Sequence, residues 1–337
     1  MKKAELIKAL EAVKPGLANR EMRMIEQSTS FAFMEDRVVT YNDEISISYP
    51  LKGIPIQGAI KAEELYAFLS KVKTEEIEIE TDDTEIRLKA GRAKAGFTLQ
   101  SEIKLPLEEL DEKTKWKTVP EGLMDAIKFA AFSCSSDMSR PILTCINVDK
   151  SGLIESSDNL RITRYEIEKL PVESFLLPAT SARDLVKYNP TEMCSGKGWI
   201  HFQTKNGTVF SCRILDVEFP DISKILEVEG VEVSFPKTIE EILERTSVFS
   251  KKENANSGDI IVSLEKNKIT LRSEGISGWS EEDANIRYSA EPVSFMVHPQ
   301  LLKEIVSKVR KCILGSDRLR FEGEGWIHVV ALQVKED

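Results

Sequence analysis

The chain repeats one folding unit three times, which limits it to architectures built from three like modules. Amphipathic helices begin about 117 residues apart, at Ala4 (AELIKALEAVK), Glu121 (EGLMDAIKFAAFSC) and Thr238 (TIEEILERTSVFSKK). Their apolar positions keep a helical period: Leu6/Leu10/Val13, Leu123/Ile127/Ala130/Cys134 and Ile239/Leu243/Thr246/Phe249. A second helix recurs at nearly the same interval, as KAEELYAFLSKVK from Lys61, PATSARDLVKYN from Pro178 and HPQLLKEIVSKVRK from His298. Pro near the start of the last two suits a first turn, where a missing N–H costs least.

Each first helix is followed by an alternating pair of runs around a polar turn: FAFMEDRVVTY, INVDKSGLIES and IIVSLEKNKITLRS. Each second helix is followed by another: EIEIETDDTEIRLKA, GWIHFQTKNGTVFSCRIL and RLRFEGEGWIHVVAL. Asn206-Gly207 signals a type I′ hairpin turn. YNDEISISYPL from Tyr41 aligns with SSDNLRITRYEI from Ser156, sharing a turn Asp and the alternating strand after it. The pattern predicts three α+β domains, 1–113, 114–230 and 231–337, each with two helices packed on antiparallel sheet. A charged linker, EELDEKTKWKT, and a short one, EVEGVEVS, mark the boundaries.

The N-terminal segment starts with two lysines but never becomes an apolar signal core, and no apolar run is long enough to span a bilayer. A cytoplasmic protein with no membrane partner is expected. Cys134, Cys145, Cys194, Cys212 and Cys312 are odd in number, scattered and without a CxxC pair, so they read as buried free thiols. His201, His298 and His328 lack ligand spacing and read as structural or surface residues. No metal or cofactor is expected. Phosphate loops, GxSxG and HExxH are absent, and no nucleophile–base–orienter set emerges, so no catalytic residue is assigned. Asp82-Asp83 and Glu281-Glu282-Asp283 read as solvated turns.

Net charge is −10, which alone argues against a nucleic-acid partner. The distribution argues the other way. Six helical windows (2–14, 61–73, 121–134, 179–189, 237–252 and 298–311) hold 18 Lys/Arg against 11 Asp/Glu, while the rest holds 28 against 45. Lysine also covers solvated helix faces for no functional reason. Recurrence in three repeats favours a basic wall that attracts duplex phosphates without reading bases.

A local motif sharpens this. RILDVEFPDISKIL, from Arg213, resembles the end of the second domain of bacterial-type DNA polymerase III beta subunits, the DNA sliding clamps. There Phe-Pro-Asp precedes a basic residue and two aliphatics. SRPILTCINVD resembles that family's domain-two opening strand, SSDNLRIT stands in place of its Thr-Asp-Gly-His-Arg-Leu turn, and AGRAKAGFTL resembles its first-domain Gly-Arg strand. The order and spacing cover essentially the whole chain, and fit a divergent bacterial or a phage-encoded member.

The resemblance implies a homodimeric, non-catalytic ring of clamp (processivity-fold) domains. The ring would surround double-stranded DNA without sequence preference, tether the replicative DNA polymerase and be placed by a clamp loader. The DNA-facing helices would present Lys3, Lys8, Arg20, Lys71, Lys73, Arg183, Lys187, Arg245, Lys251, Lys252, Lys303, Lys308 and Arg310. A partner-peptide groove would be walled by Leu143, Ser157, Leu160, Arg161, Ile162, Pro220, Lys224, Ile225, Val329 and Leu332. Leu160 stands where the family often has His, and ALQVKED replaces its C-terminal Met-Pro-Met-Arg-Leu. The subunit interface would set Phe97 and Leu99 against Val248 and Phe249, and Arg92 and Lys94 against Glu281, Glu282 and Asp283. Phe97 and Leu99 read equally as core of their own domain. Two other classes stand beside the clamp: a clamp-like protein-binding scaffold without a DNA role, and an enzyme on this fold.

Overall fold

A computed structural model of the chain describes residues 1–19, 25–110, 115–250 and 258–334. All six hairpins expected from alternation form, among them Ser30–Phe33 with Arg37–Tyr41 and Arg318–Gly323 with Trp326–Ala331. The helices are shorter than their apolar periodicity. Ile239–Thr246 stops before Val248, and Pro299–Val306 stops before Lys308. Each buries one stripe; Leu6, Ala9, Leu10 and Val13 of Lys3–Val13 are fully enclosed. Enclosing one such leucine contributes about 1.5–3 kcal/mol of transfer free energy.

The chain forms two compact units. One holds Met1–Lys128, Asp149–Ser151 and Glu168–Val217; the other holds Phe129–Val148, Gly152–Ile167 and Glu218–Asp337. These units divide the second repeat because its two halves extend different sheets. In the first unit, Ile45–Pro50 pairs antiparallel with Val209–Arg213, from Ile45↔Cys212 to Ser48↔Val209. The sheet runs Gly58–Lys61, Ser30–Phe33, Arg37–Tyr41, Ile45–Pro50, Val209–Arg213, Trp199–Gln203, Glu192–Ser195, Lys117–Thr118. In the second unit, Arg161–Glu166 pairs with Trp326–Ala331, from Arg161↔Val330 to Tyr165↔Trp326. That sheet runs Cys145–Val148, Leu153–Ser157, Arg161–Glu166, Trp326–Ala331, Arg318–Gly323, Lys311–Leu314, Val231–Ser234.

One rule describes both sheets. The third strand of a repeat's first half pairs with the last strand of the next repeat's second half. Applied to the remaining strands, the rule leaves two edges. Among the described residues, Gly278–Asn285 of the third repeat pairs only with Lys268–Gly275, and Ala93–Thr98 of the first repeat pairs only with Glu85–Ala90.

Several local expectations change. Glu281, Glu282 and Asp283 lie on the edge strand Gly278–Asn285, not in a turn. The segment read as a linker after Gly230 is the strand Val231–Ser234, paired with Lys311–Leu314. At the Asn206-Gly207 hairpin only Gly207 has positive φ, at 84°, and its N–H bonds Thr204 O at 2.9 Å. That is a type I turn closed by a left-handed glycine rather than a type I′ turn. The repeat alignment also shifts by one residue. Asn42 Oδ1 accepts from Glu44 and Ile45 N–H at 3.1 and 2.9 Å; Asp158 Oδ1 accepts from Leu160 and Arg161 N–H, both at 3.0 Å. Asp43 and Asn159 follow, each with φ of 74°. The equivalent pairs are thus Asn42/Asp158 and Asp43/Asn159, and an Asx side chain holds each turn.

Candidate functional site

Within the second unit the Asp158 turn, the segment after Phe219 and the Asp317-Arg318 turn surround a cleft of about 310 Å³. Its floor is aliphatic because Ile162 and Val329 are cross-strand partners whose side chains share one face. Ile162, Val329, Ile222 and Leu226 form one buried cluster under it. Phe219-Pro220-Asp221 carries the chain into a four-residue helix, Ser223–Leu226, which seats Ile222 and Leu226 inward and leaves Ile225 42% exposed. Leu160, across the cleft, is 50% exposed.

Eight of the ten residues expected in the groove line this cleft: Leu143, Ser157, Leu160, Arg161, Ile162, Pro220, Ile225 and Val329. Lys224 is exposed on the short helix but does not line it. Leu332 does not either; it is buried in the core around Phe295 and Phe321. Asn159, Asp221, Ile222, Asp317, Arg318 and Ala331 line it and were missed. The Asx turn and the Asp317-Arg318 hairpin turn carry polar lining residues that apolar periodicity does not mark.

The charges at the cleft are internally matched. Arg161 Nε donates to Asp158 Oδ2 at 2.9 Å, Arg161 also pairs with Glu304, and its guanidinium lies 4.9 Å from the Phe132 ring centroid. Arg318 donates to both oxygens of Asp317 at 2.8 and 2.7 Å. Beneath Arg161, His328 Nδ1 is 2.8 Å from Thr163 Oγ1, which is 2.6 Å from Ser133 Oγ. Burial, helped by the Arg161 charge, pushes the His328 imidazole down to about 3, so it is neutral at physiological pH. The cleft can therefore offer aliphatic pockets and backbone contacts to an extended peptide.

The basic residues are arranged differently from the sequence expectation. Inside the six helices, Lys3–Val13, Ala62–Lys71, Leu123–Ala130, Ala179–Leu185, Ile239–Thr246 and Pro299–Val306, there are seven Lys/Arg and ten Asp/Glu. The helices themselves are not net basic. Lys73, Lys187, Lys308 and Arg310 lie past helix ends, in segments that the amphipathic windows had included. Cations suit that position, next to the free carbonyls of a helix C-terminus. Lys3 Nζ donates to Val72 O at 2.6 Å; Lys187 pairs with Asp184, Lys303 with Glu244, and Arg245 with Glu282 and Glu241. Lys308 Nζ stands 5.2 Å from the Phe129 ring centroid. Lys8, Lys71, Lys73, Arg183 and Arg310 are exposed. Arg20, Lys251 and Lys252 lie outside the described residues.

Of the residues expected at a subunit interface, Arg92 and Lys94 are exposed beside or on the edge strand Ala93–Thr98. Phe97 is half-buried, edge-on to Phe68 with centroids 5.8 Å apart. Leu99 is 7% exposed and belongs to the core, packed near Gly58, so its apolar side chain is already used inside its own unit. Val248 is exposed and Phe249 half-buried, its ring close to Gly278. Glu281 pairs with Arg272 and Glu282 with Arg245; Asp283 is exposed.

The five cysteines are buried, and burial raises the thiols of Cys145, Cys212 and Cys312. His201 is buried, with Nδ1 2.8 Å from Ser211 Oγ. Among the described residues no cluster of three or more His, Cys, Asp or Glu could hold a metal ion, and no helix is long and apolar enough to cross a membrane.

No family model matches the sequence, and no curated protein matches it. Solved structures match over nearly the whole length. The DNA polymerase III subunit beta sliding clamp of Bartonella birtlesii, bound to griselimycin, superposes with a TM-score of 0.85 at 15% identity, over 100% of this chain and 98% of that one. The DNA polymerase sliding clamp of Bacillus subtilis gives 0.82 at 17% identity, over 100% and 98%. The beta subunit of the Streptococcus pyogenes DNA polymerase gives 0.81 at 18%, over 99% of each. The chain has the fold of the bacterial DNA polymerase III beta subunit, the DNA sliding clamp.

Proposed function

We propose that this chain is a divergent DNA sliding clamp: a non-catalytic, cytoplasmic processivity factor that closes as a homodimeric ring around duplex DNA and tethers a DNA polymerase. The observation that carries the reading is the strand-pairing rule. Two of the three sheets that the rule generates are complete within one chain. The third needs Gly278–Asn285 of one copy beside Ala93–Thr98 of another. Such head-to-tail pairing, used twice, closes a two-membered ring with three repeats per subunit, 1–113, 114–230 and 231–337. The two edges carry opposite charge, Arg92 and Lys94 on one and Glu281 and Asp283 on the other. Leu99 is buried in the core of its own unit, and Glu282 is held by Arg245.

DNA contact in this reading falls to residues near helix ends, Lys73, Lys187, Lys308 and Arg310, together with the exposed Lys8, Lys71 and Arg183. The attraction is sequence-blind and suits sliding. The aliphatic cleft receives peptides of the polymerase and the clamp loader. The scaffold reading, with partner binding but no DNA role, is favoured by one observation: the helices hold seven cations against ten anions.

One experiment separates the two. The protein is loaded on nicked circular DNA, and retention is measured before and after linearisation. A clamp stays on the circle and runs off the linear form. Equal retention on both forms, or none on either, removes the encirclement reading and leaves the scaffold.

A further inference from the structure

The helix Ser223–Leu226 has four residues, far below the length at which a helix sustains itself in water. Its last carbonyls, Ile225 O among them, lie beyond the reach of an intrahelical donor. Yet this helix presents Ile225 to the cleft, and its position fixes the cleft's width. Two buried residues, Ile222 and Leu226, hold down its inner face. Polar contacts hold its ends. Asp221 Oδ1 accepts from Ser223 N–H at 2.9 Å at the helix start. Arg318 Nη1 donates to Ile225 O at 3.1 Å at its end. The other face of Arg318 is clamped on Asp317 by two bonds, so its fork is rigid. On the far side, Arg164 Nη2 donates to Ser223 Oγ at 3.0 Å. Arg164 is itself fixed by Glu155, a buried carboxylate that also accepts from Asn147 Nδ2 at 3.0 Å.

We propose that Arg318, seconded by Arg164, is a positioning residue that holds the Ser223–Leu226 wall, and so places Ile225 for an apolar peptide anchor. The proposal rests on the reading of the cleft as a peptide site. Arg318 donates the hydrogen bond that an orphan helix carbonyl requires, and its charge is matched by Asp317, which takes Nε and one Nη2 hydrogen. It therefore acts through Ile225 and not by binding an acidic group on the peptide.

The test uses the full chain and a fluorescein-labelled pentapeptide, Gly-Leu-Ser-Leu-Phe. Arg318→Ala is expected to weaken peptide binding about tenfold, since a lost charge-assisted bond acts on the wall and not on the ligand. Ser223→Ala is expected to weaken it about threefold, leaving the Arg164–Glu155 pair intact. In a double-mutant cycle, Arg318→Ala and Ile225→Ala should be non-additive, the double variant binding about as weakly as Ile225→Ala alone. Arg318→Lys, which keeps one donor, should recover part of the loss. Amide exchange at Ile225 and Leu226, measured without peptide, should quicken in Arg318→Ala while exchange in Trp326–Ala331 stays slow. Additive losses, or unchanged exchange at Ile225, overturn the proposal. If wild-type protein binds no pentapeptide, the peptide-site reading fails, and the exchange measurement still decides whether Arg318 holds the wall.

Discussion

Arg245 grips Glu282 through two bonds, Nε to Oε2 at 2.8 Å and Nη2 to Oε1 at 2.7 Å. From sequence alone these residues belong to different surfaces, the cation to DNA and the carboxylate to a second subunit. Their pairing raises the guanidinium and lowers the carboxyl from their ordinary values, mainly through the shared hydrogen bonds. A cation so neutralised attracts phosphate less than an unpaired one.

Glu282→Gln should therefore strengthen DNA retention. Releasing one full cation toward a phosphate steepens the slope of log affinity against log salt by about 0.9. Titration of the loaded ring from low to moderate salt measures it. An unchanged slope would show that Arg245 does not face DNA.

Ile225→Asp should abolish pentapeptide binding while leaving subunit association and melting temperature nearly as in the wild type. Ile225 is 42% exposed, and an exposed substitution typically changes stability by about 0.5 kcal/mol or less. Peptide titration with sedimentation on the same sample reads both properties. Loss of the dimer alongside the peptide would place Ile225 in a structural role instead.

His328 predicts an acid limb in stability. Its folded value is pushed down to about 3 against an ordinary 6.5, with burial the larger cause. Between those values the unfolded chain binds a proton and the folded chain does not. Stability is thus full above pH 6.5 and falls with acidification down to about 3, at no more than about 1.4 kcal/mol per pH unit. His328→Gln should keep a contact to Thr163 and flatten that limb. Urea unfolding at pH 7 and pH 4.5 compares the two proteins; an equal decrement in both would assign the limb to carboxylates.

The repeats and hairpins were legible in the sequence because alternation and turn residues are local signals. The edge strand Gly278–Asn285 was not. GWSEEDAN alternates half-buried with exposed positions and reads as a polar turn, since an edge strand with one shallow face needs no apolar run. Helix ends were overrun because apolar residues such as Phe249 continue the helical period past the last turn, and this overrun created the apparent basic helices. In the cleft, aliphatic members such as Ile162 and Val329 were reachable through family-like motifs. Arg318 was not, because its role is a bond to a backbone carbonyl 93 residues away, which no side-chain pattern records.

The two unmatched sheet edges make the sharpest prediction about assembly. Lys94 lies on Ala93–Thr98 and Asp283 on Gly278–Asn285, both exposed. Where opposite charges meet across an interface, reversing one places like charges together, and reversing both restores the attraction. Lys94→Glu alone and Asp283→Lys alone should each weaken the dimer about tenfold or more, and the double variant should recover most of the loss. Backbone pairing of Ala93–Thr98 and Gly278–Asn285 within each unit does not depend on these exposed side chains, so the circular dichroism of all three variants should match the wild type. Sedimentation equilibrium at low salt gives the dissociation constants. Recovery in the double variant ties the two edges to one contact; two independent losses, or none, would mean that Ala93–Thr98 and Gly278–Asn285 do not meet and that the third sheet is not completed by a second copy.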